Sequence, residues 1–242
     1  MPRRIGQILL SGGLDSTTLA CLALRETDEL LALTLDYGQR HVIEIESARK
    51  VAAALGLAQR VVDVRFYRDL AAHSALTDTA QFALPTGRAP AEMATGIPLT
   101  YVPLRNTFFL TLAAASLETR VLRAIESEGA APGDIDAVLY IAANALDYSG
   151  YPDCRPEFYA ALTETLRLGS KIGTQYGCAL RIATPLIDKT KADIVRLGVS
   201  LGAPLALSWS CYGAGPAPCG QCDSCLLRAK GFAEAGIDDP AL

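Results

Sequence analysis

The sequence predicts an α/β protein built on a parallel five-stranded sheet, with a small cysteine-rich piece at its C-terminal end. Three observations predict this. Short apolar runs alternate with segments of helical periodicity. The first run, residues 5–10, stops directly on the turn Ser11-Gly12-Gly13-Leu14-Asp15-Ser16. Four of the seven cysteines (Cys211, Cys219, Cys222 and Cys225) fall close together near the C-terminal end. The 242 residues suffice for one large domain, expected over 1–207, and a small appendix over 208–242. Net charge is 22 − 26 = −4, which argues against a broad nucleic-acid surface. No apolar run has membrane-spanning length, and residues 5–10 are too short for a signal-peptide core, so a cytoplasmic protein is expected.

Residues 5–10 are too short for a helix and suit a buried parallel strand. Residues 17–24 carry apolar positions at helical spacing. The unit therefore reads strand, glycine turn, helix. Gly12 and Gly13 permit positive φ and a close approach by a ligand. Unpaired first-turn N–H groups and the helix dipole attract anions there, and Ser11, Ser16 and Thr17 add hydroxyls. This is a nest for phosphate oxygens. It has neither the lysine of a Walker loop nor a G-x-G-x-x-G spacing. It resembles the pyrophosphate loop of the ATP pyrophosphatases, which cleave ATP between its α and β phosphates. A carboxylate beside phosphates needs a cation, so Asp15 is expected to help hold Mg²⁺ directly or through water.

A second buried strand over 30–37 ends in Asp36-Tyr37-Gly38-Gln39-Arg40-His41. The helix over 42–55 carries Ile45, Ala48, Ala52 and Leu55 on one face and Glu44, Arg49 and Lys50 on the other, and Gly56 stops it. A third strand follows over 59–65. In such β-α-β-α-β sheets the ligand lies at the carboxyl ends of the strands, so Tyr37, Gln39, Arg40 and His41 are candidates to meet it.

Residues 66–103 are irregular and rich in Pro and Gly, which suits a lid or binding loop. Arg105 precedes a helix expected from 108 to 117 or beyond, with Asn106 or Thr107 as its cap. It faces either a phosphate or carboxylate, or plain solvent. Residues 118–136 read as a helix end and surface loop, and 138–143 as strand four. The polar and aromatic stretch that follows holds Asp147, Tyr148, Tyr151, Asp153, Cys154 and Arg155, and Pro156 opens the next helix. Its rings can stack on a flat heterocycle, and a carboxylate can accept two parallel N–H bonds from a guanine-like edge. The alternative is a structural Tyr/Pro loop. Strand five is expected over 179–183, and Thr190 caps a helix running to 201. Lys191, in its first turn, opposes the helix dipole unless an anion offsets it.

The tail reads Cys211-x₇-Cys219-x₂-Cys222-x₂-Cys225. Four thiolates suit tetrahedral Zn²⁺ better than an iron–sulfur cluster, and leave no open position, so the ion is expected to be structural. Arg228 and Lys230 either touch an anionic ligand or offset the charge of the metal site.

These motifs together resemble the 7-cyano-7-deazaguanine synthases, which make a nitrile in queuosine and archaeosine precursor synthesis. The resemblance covers nearly the whole chain. It rests on S-G-G-L-D-S at 11–16, D-Y-G-Q-R-H at 36–41, R-N-T at 105–107, N-A-L-D-Y-S-G-Y-P-D-C-R-P-E-F at 144–158, P-L-I-D-K-T-K-A-D-I at 185–194, and W-S-C-Y with C-G-x-C-x-x-C at 209–225. Departures at Leu104, at Ala142-Ala143 and in the long 118–136 segment touch loop shape only. The resemblance implies a Rossmann-like sheet of the adenine nucleotide alpha hydrolase type and a homodimer. It implies an ATP-dependent ligase acting on 7-carboxy-7-deazaguanine, ammonia and two ATP with Mg²⁺. The acid is adenylated, ammonia displaces AMP to give an amide, and a second ATP drives loss of the amide oxygen. Leu9, Leu10, Ser11, Gly12, Gly13, Leu14, Asp15, Ser16, Thr17, Thr18 and Leu19 bracket the ATP site. Lys191 and Arg105 offset charge on pyrophosphate. Asp147 or Asp153 reads the deazaguanine edge, Tyr148 or Tyr151 stacks on it, and Arg155 belongs to the same stretch. No residue is singled out as a general base, and adenylation makes a Cys154 thioester unnecessary. The rival readings are a tRNA thiolase or other ligase on this fold, and a zinc-ribbon binding module. The latter has no use for the glycine loop.

Overall fold

The structure, a computed structural model, describes residues 2–38, 42–88, 92, 96–144, 151–178, 180–213 and 215–241. Five strands, β1 (Arg3–Leu9), β2 (Glu29–Asp36), β3 (Ala58–Asp63), β4 (Ile135–Tyr140) and β5 (Leu180–Ala183), form one sheet in the order β3-β2-β1-β4-β5. Every pairing is parallel, with Ile8 of β1 set against Ala32 of β2 and Tyr140 of β4. The period of two divides the apolar strand residues between two cores. Ile5, Leu33, Leu35, Ala137 and Leu139 enter one, while Ile8, Ala32, Val138 and Tyr140 enter the other. Both faces are covered, which is why the strands read as continuous apolar runs.

Helices α1 (Leu14–Glu26) and α2 (Val42–Ala54) cover the second core. A short α3 (Phe66–Leu70) and the 22-residue α4 (Arg105–Glu126) cover the first, with α5 (Pro156–Gly169) and α6 (Lys171–Thr174). The last two helices are α7 (Lys191–Leu201) and α8 (Asp223–Ala235). Among the described residues no helix is long and apolar enough to cross a membrane.

Several boundaries differ from expectation. α4 begins at Arg105, three residues before the expected start at 108, and runs to Glu126, so the helix end expected at the start of 118–136 is present. Leu117, Val121 and Ala124 continue its buried stripe. Its N-cap is Leu104, in the left-handed region at φ 54°, and not Asn106 or Thr107. Asn106 instead turns to Asp153: its backbone N–H donates to the carboxylate at 3.3 Å and its side-chain amide to the carbonyl at 3.3 Å. β4 starts and ends three residues before the expected strand. The described part of 66–103 is packed down in places, while Phe66, Leu70, Ile97 and Leu99 stay exposed. The Tyr67 ring stacks on Phe108 at 4.4 Å, and Ala71, Ala75 and Leu76 are buried.

Candidate active site

The carboxyl ends of β1, β2 and β4 open into a cavity of about 300 Å³. Its floor is the glycine loop. Gly13 is the N-cap of α1, with no side chain capping the helix, so its first-turn N–H groups remain for an anion. The Ser11 and Ser16 hydroxyls lie 3.0 Å apart, and Ser16 Oγ donates to the Gly13 carbonyl at 3.1 Å. Leu9, Leu10, Ser11, Gly13, Leu14, Asp15 and Ser16 all reach the cavity wall.

The rest of the 9–19 stretch does not. Gly12, at φ 85°, has α2 behind it: an added Cβ would lie 2.5 Å from the Ala48 nitrogen and 2.6 Å from the Glu44 carbonyl oxygen. Packing of α2, and not approach of a ligand, demands this glycine. Thr17, Thr18 and Leu19 are fully buried on the inner side of α1, with the two threonine hydroxyls unpartnered. They belong to the core of α1 and not to the wall of the site.

Asp15 meets a cation supplied by the chain. Lys191 Nζ donates to its two carboxylate oxygens at 2.7 and 3.0 Å. Lys191 opens α7, whose capping box sets Thr190 Oγ1 on the Asp193 N–H and the Asp193 carboxylate on the Thr190 N–H. The lysine stem is buried against α8, where an added Cβ on Gly231 would fall 2.4 Å from Lys191 Cγ. Gly231→Ala is therefore expected to push the ammonium off Asp15. Turnover should fall by about tenfold or more, with a lower melting temperature, because the clash meets Cγ, Cβ and the backbone carbon of Lys191 and not the free end of its side chain. Steady-state rates beside a thermal melt check it.

Arg105 reaches the cavity from the start of α4 and donates to the Tyr37 hydroxyl at 3.4 Å. Burial opposes its charge, yet Tyr37, Tyr151, Tyr212 and Asp153 around it hold its pKa above the ordinary arginine value. Tyr151 is buried on the wall, its hydroxyl 2.6 Å from Thr100 Oγ1. Cys154 also lines the cavity, and burial lifts its thiol to about 11, which keeps it protonated and a poor nucleophile near neutrality.

Other expected residues sit elsewhere. Asp153 is buried behind the wall, holding Asn106. Arg155 is exposed at the N-cap of α5 and does not reach the cavity. Asp147, Tyr148, Gln39, Arg40 and His41 lie outside the described residues. Tyr37 is on the wall as expected. Two contributions were not foreseen. Glu44, assigned to the outer face of α2, lines the cavity, and Trp209, Ser210 and Tyr212 close it from the C-terminal piece.

That piece is tied to the loop by the Trp209 N–H, which donates to the Gly12 carbonyl at 2.9 Å. Arg228 pairs with Asp239 at 2.6 Å and donates to Ser208 Oγ at 2.9 Å, so its charge is met inside the protein. Lys230 is exposed, with Glu234 at 3.8 Å. The four sulfurs of Cys211, Cys219, Cys222 and Cys225 lie within 4.8 Å of one another. A tetrahedral Zn²⁺ with bonds of about 2.3 Å needs sulfurs about 3.8 Å apart, and Cys219 and Cys225 stand at 4.0 Å. Backbone N–H groups point at the sulfurs, as thiolates require: Gly213 and Cys219 donate to Cys211 Sγ at 3.1 and 3.3 Å, and Cys222 to Cys219 Sγ at 3.3 Å. The donor set fits one structural Zn²⁺. The Thr86–Cys222 bridge and the Arg88–Asp223 ion pair fasten this centre to the 66–103 segment.

The chain matches the family model described as queuosine biosynthesis protein QueC over residues 7–236. It is 49% identical over 246 residues to the 7-cyano-7-deazaguanine synthase of Anaeromyxobacter sp. (strain Fw109-5), covering 100% of this chain and 97% of that one. It is 46% identical over 245 residues to the synthase of the same name from Syntrophus aciditrophicus (strain SB), covering 99% and 97%. NMN synthetase from Francisella tularensis shows 17% identity and a TM-score of 0.41 over 98% of this chain and 74% of that one, too distant to transfer residue roles.

Proposed function

Because this chain belongs to the queuosine biosynthesis protein QueC family, we propose that it converts 7-carboxy-7-deazaguanine and ammonia to 7-cyano-7-deazaguanine, with cleavage of ATP to AMP and pyrophosphate. The observation that carries this is the cavity itself. An uncapped helix N-terminus, the Lys191–Asp15 pair and Arg105 converge at the strand ends, as an ATP α-phosphate under attack requires. The loop N–H groups and the Ser11 and Ser16 hydroxyls hold the phosphates, and Mg²⁺ when bound offsets their charge. Lys191 stays oriented by Asp15 and stabilises the departing pyrophosphate. The substrate carboxylate attacks the α-phosphorus. Ammonia then displaces AMP to give the amide, and a second ATP activates the amide oxygen. Of the described rings on the cavity wall, which include Tyr37, Phe109, Trp209 and Tyr212, we assign Tyr151 to stacking on the base, and Asp147 or Asp153 and Tyr148 remain candidates to meet its edge and face.

We take residues 208–242 as a zinc subdomain that closes the cavity, and the protein as a cytoplasmic homodimer without nucleic-acid partners. Neighbouring apolar side chains left exposed, Phe66, Leu70 and Leu104, support a covered face. The test of the route uses limiting ATP. One equivalent per base should accumulate the amide, and two should give the nitrile. Nitrile without a detectable amide would contradict the two-stage route.

A further inference from the structure

The cavity holds a carboxylate with no part in the chemistry above. Glu44 sits in the first turn of α2, the turn pressed against Gly12, with its carbonyl oxygen 2.6 Å from where a Gly12 Cβ would be. Loop and turn are therefore in direct contact. Of the described carboxylates only Asp15 and Glu44 line the cavity. Asp15 is taken by Lys191, and Asp153 lies behind the wall. Among the described residues no hydrogen bond reaches the Glu44 side chain.

The charged and titratable groups that share its cavity come from every side. Tyr37 comes from the end of β2 and Arg105 from α4, and Tyr151 and Cys154 precede α5. Asp15 and Lys191 are paired with each other, Tyr212 comes from the C-terminal piece, and Arg228 is held by Asp239. Arg40 and His41 precede α2 in the sequence and lie outside the described residues.

A nitrile cannot form from an amide by adenylation alone. Both N–H protons must leave nitrogen: one as the amide oxygen bonds phosphorus and pyrophosphate departs, the second as the C–O bond to AMP breaks. The electron pairs of those N–H bonds become the added C–N π bonds, and AMP carries the oxygen away. We propose that Glu44 is the general base for these nitrogen-bound protons, taking each onto its carboxylate and passing it to solvent. This rests on the nitrile-forming reading above.

The environment matches the task. Burial pushes the Glu44 carboxyl up to about 7, with Arg105 pulling it back down, so it is basic enough to accept a proton and still ionised above neutrality. A carboxylate with an ordinary pKa would be a much weaker base. Glu44 also occupies a first-turn position where a negative charge favours the helix. Glutamine keeps the shape of that position while removing the basicity together with the charge, and it replaces one acceptor oxygen with an N–H donor.

The experiment supplies 7-amido-7-deazaguanine with ATP and Mg²⁺, so that the ammonium pKa does not enter the pH profile. In the wild type the rate of nitrile formation should rise with pH through about 7 and then level. Glu44→Gln should be slower by about 10²-fold or more and lack that limb, with ATP affinity within about twofold of wild type. Glu44→Asp, which shortens the reach but keeps a carboxylate, should retain a limb at reduced rate. The inference is overturned if Glu44→Gln keeps both rate and limb, or if its ATP affinity falls by the same factor as its rate. Should Glu44→Gln not fold, a Glu44→Asp enzyme with wild-type rate and profile overturns it equally. Failure of the wild type itself to convert the amide would remove the underlying reading, which is a distinct result.

Discussion

Cys222→Ser is expected to abolish turnover and to lose the zinc. Cys222 is fully buried and does two things at once: it belongs to the four-sulfur set, and it is the N-cap of α8. A structural Zn²⁺ contributes on the order of 10 kcal/mol to the fold of a small zinc module, comparable with the whole stability of a domain. Here the loss would propagate into the site. α8 carries Arg228, which ties residues 205–210 together through Ser208, and Gly231, which seats Lys191. The Trp209-to-Tyr212 stretch that closes the cavity runs directly into the cysteines. Zinc content by atomic absorption should fall from one per chain to near zero, and amide exchange should show 208–235 losing protection. The strands β1 to β4 are held by their own two cores and should keep theirs. A zinc-free variant with full activity would mean that the C-terminal piece folds on its own contacts.

Lys191→Ala carries the second large effect. It removes the cation that faces Asp15, the one we propose stabilises the leaving pyrophosphate. Loss of a preorganised charge at a phosphoryl transition state costs about 10²–10³ in kcat. Asp15 would also be left half-buried and uncompensated next to incoming phosphates, so KM for ATP should rise as well. Lys191→Ala with Asp15→Asn should recover part of the ATP affinity lost in the single variant but not its kcat. A double variant that recovers both would show that Lys191 acts only by neutralising Asp15. Separate kcat and KM values for ATP distinguish these outcomes.

What could be read from the sequence follows from how local each signal is. β1 and β2 are buried on both faces, so their apolar runs announce themselves, and the glycine turn after β1 marks the uncapped N-terminus of α1. The cysteine spacing is equally local. The errors arose where geometry is not local. The periodicity of α2 places Glu44 one turn before Ala48, on the edge of the core-facing side, so its grouping with Arg49 and Lys50 on the outer face followed its charge and not its position. It cannot say that a residue so close to the helix start lies over the strand ends, where the space outside the core is a cavity and not solvent. Thr17 and Thr18 look like ligands because they extend a phosphate-binding turn, yet α1 rotates them inward, and an added Cβ on Gly198 of α7 would lie 2.7 Å from Thr18 Oγ1. Arg155 shares a polar stretch with Tyr151 but occupies a helix cap, where the chain turns outward. Trp209 and Tyr212 reach the site through contacts distant in sequence, among them the Trp209 N–H bond to Gly12, nearly two hundred residues earlier, and Ser47 Oγ against the Gly12 and Leu207 carbonyls.

The most direct measurement supplies the purified protein with ATP, Mg²⁺, ammonium and 7-carboxy-7-deazaguanine. The base is followed by mass spectrometry and the nucleotides by chromatography. The predicted result is 7-cyano-7-deazaguanine with two AMP formed for each base. AMP formed without nitrile would contradict the assigned reaction while keeping the ATP site, and no AMP from a zinc-loaded protein would contradict the site itself.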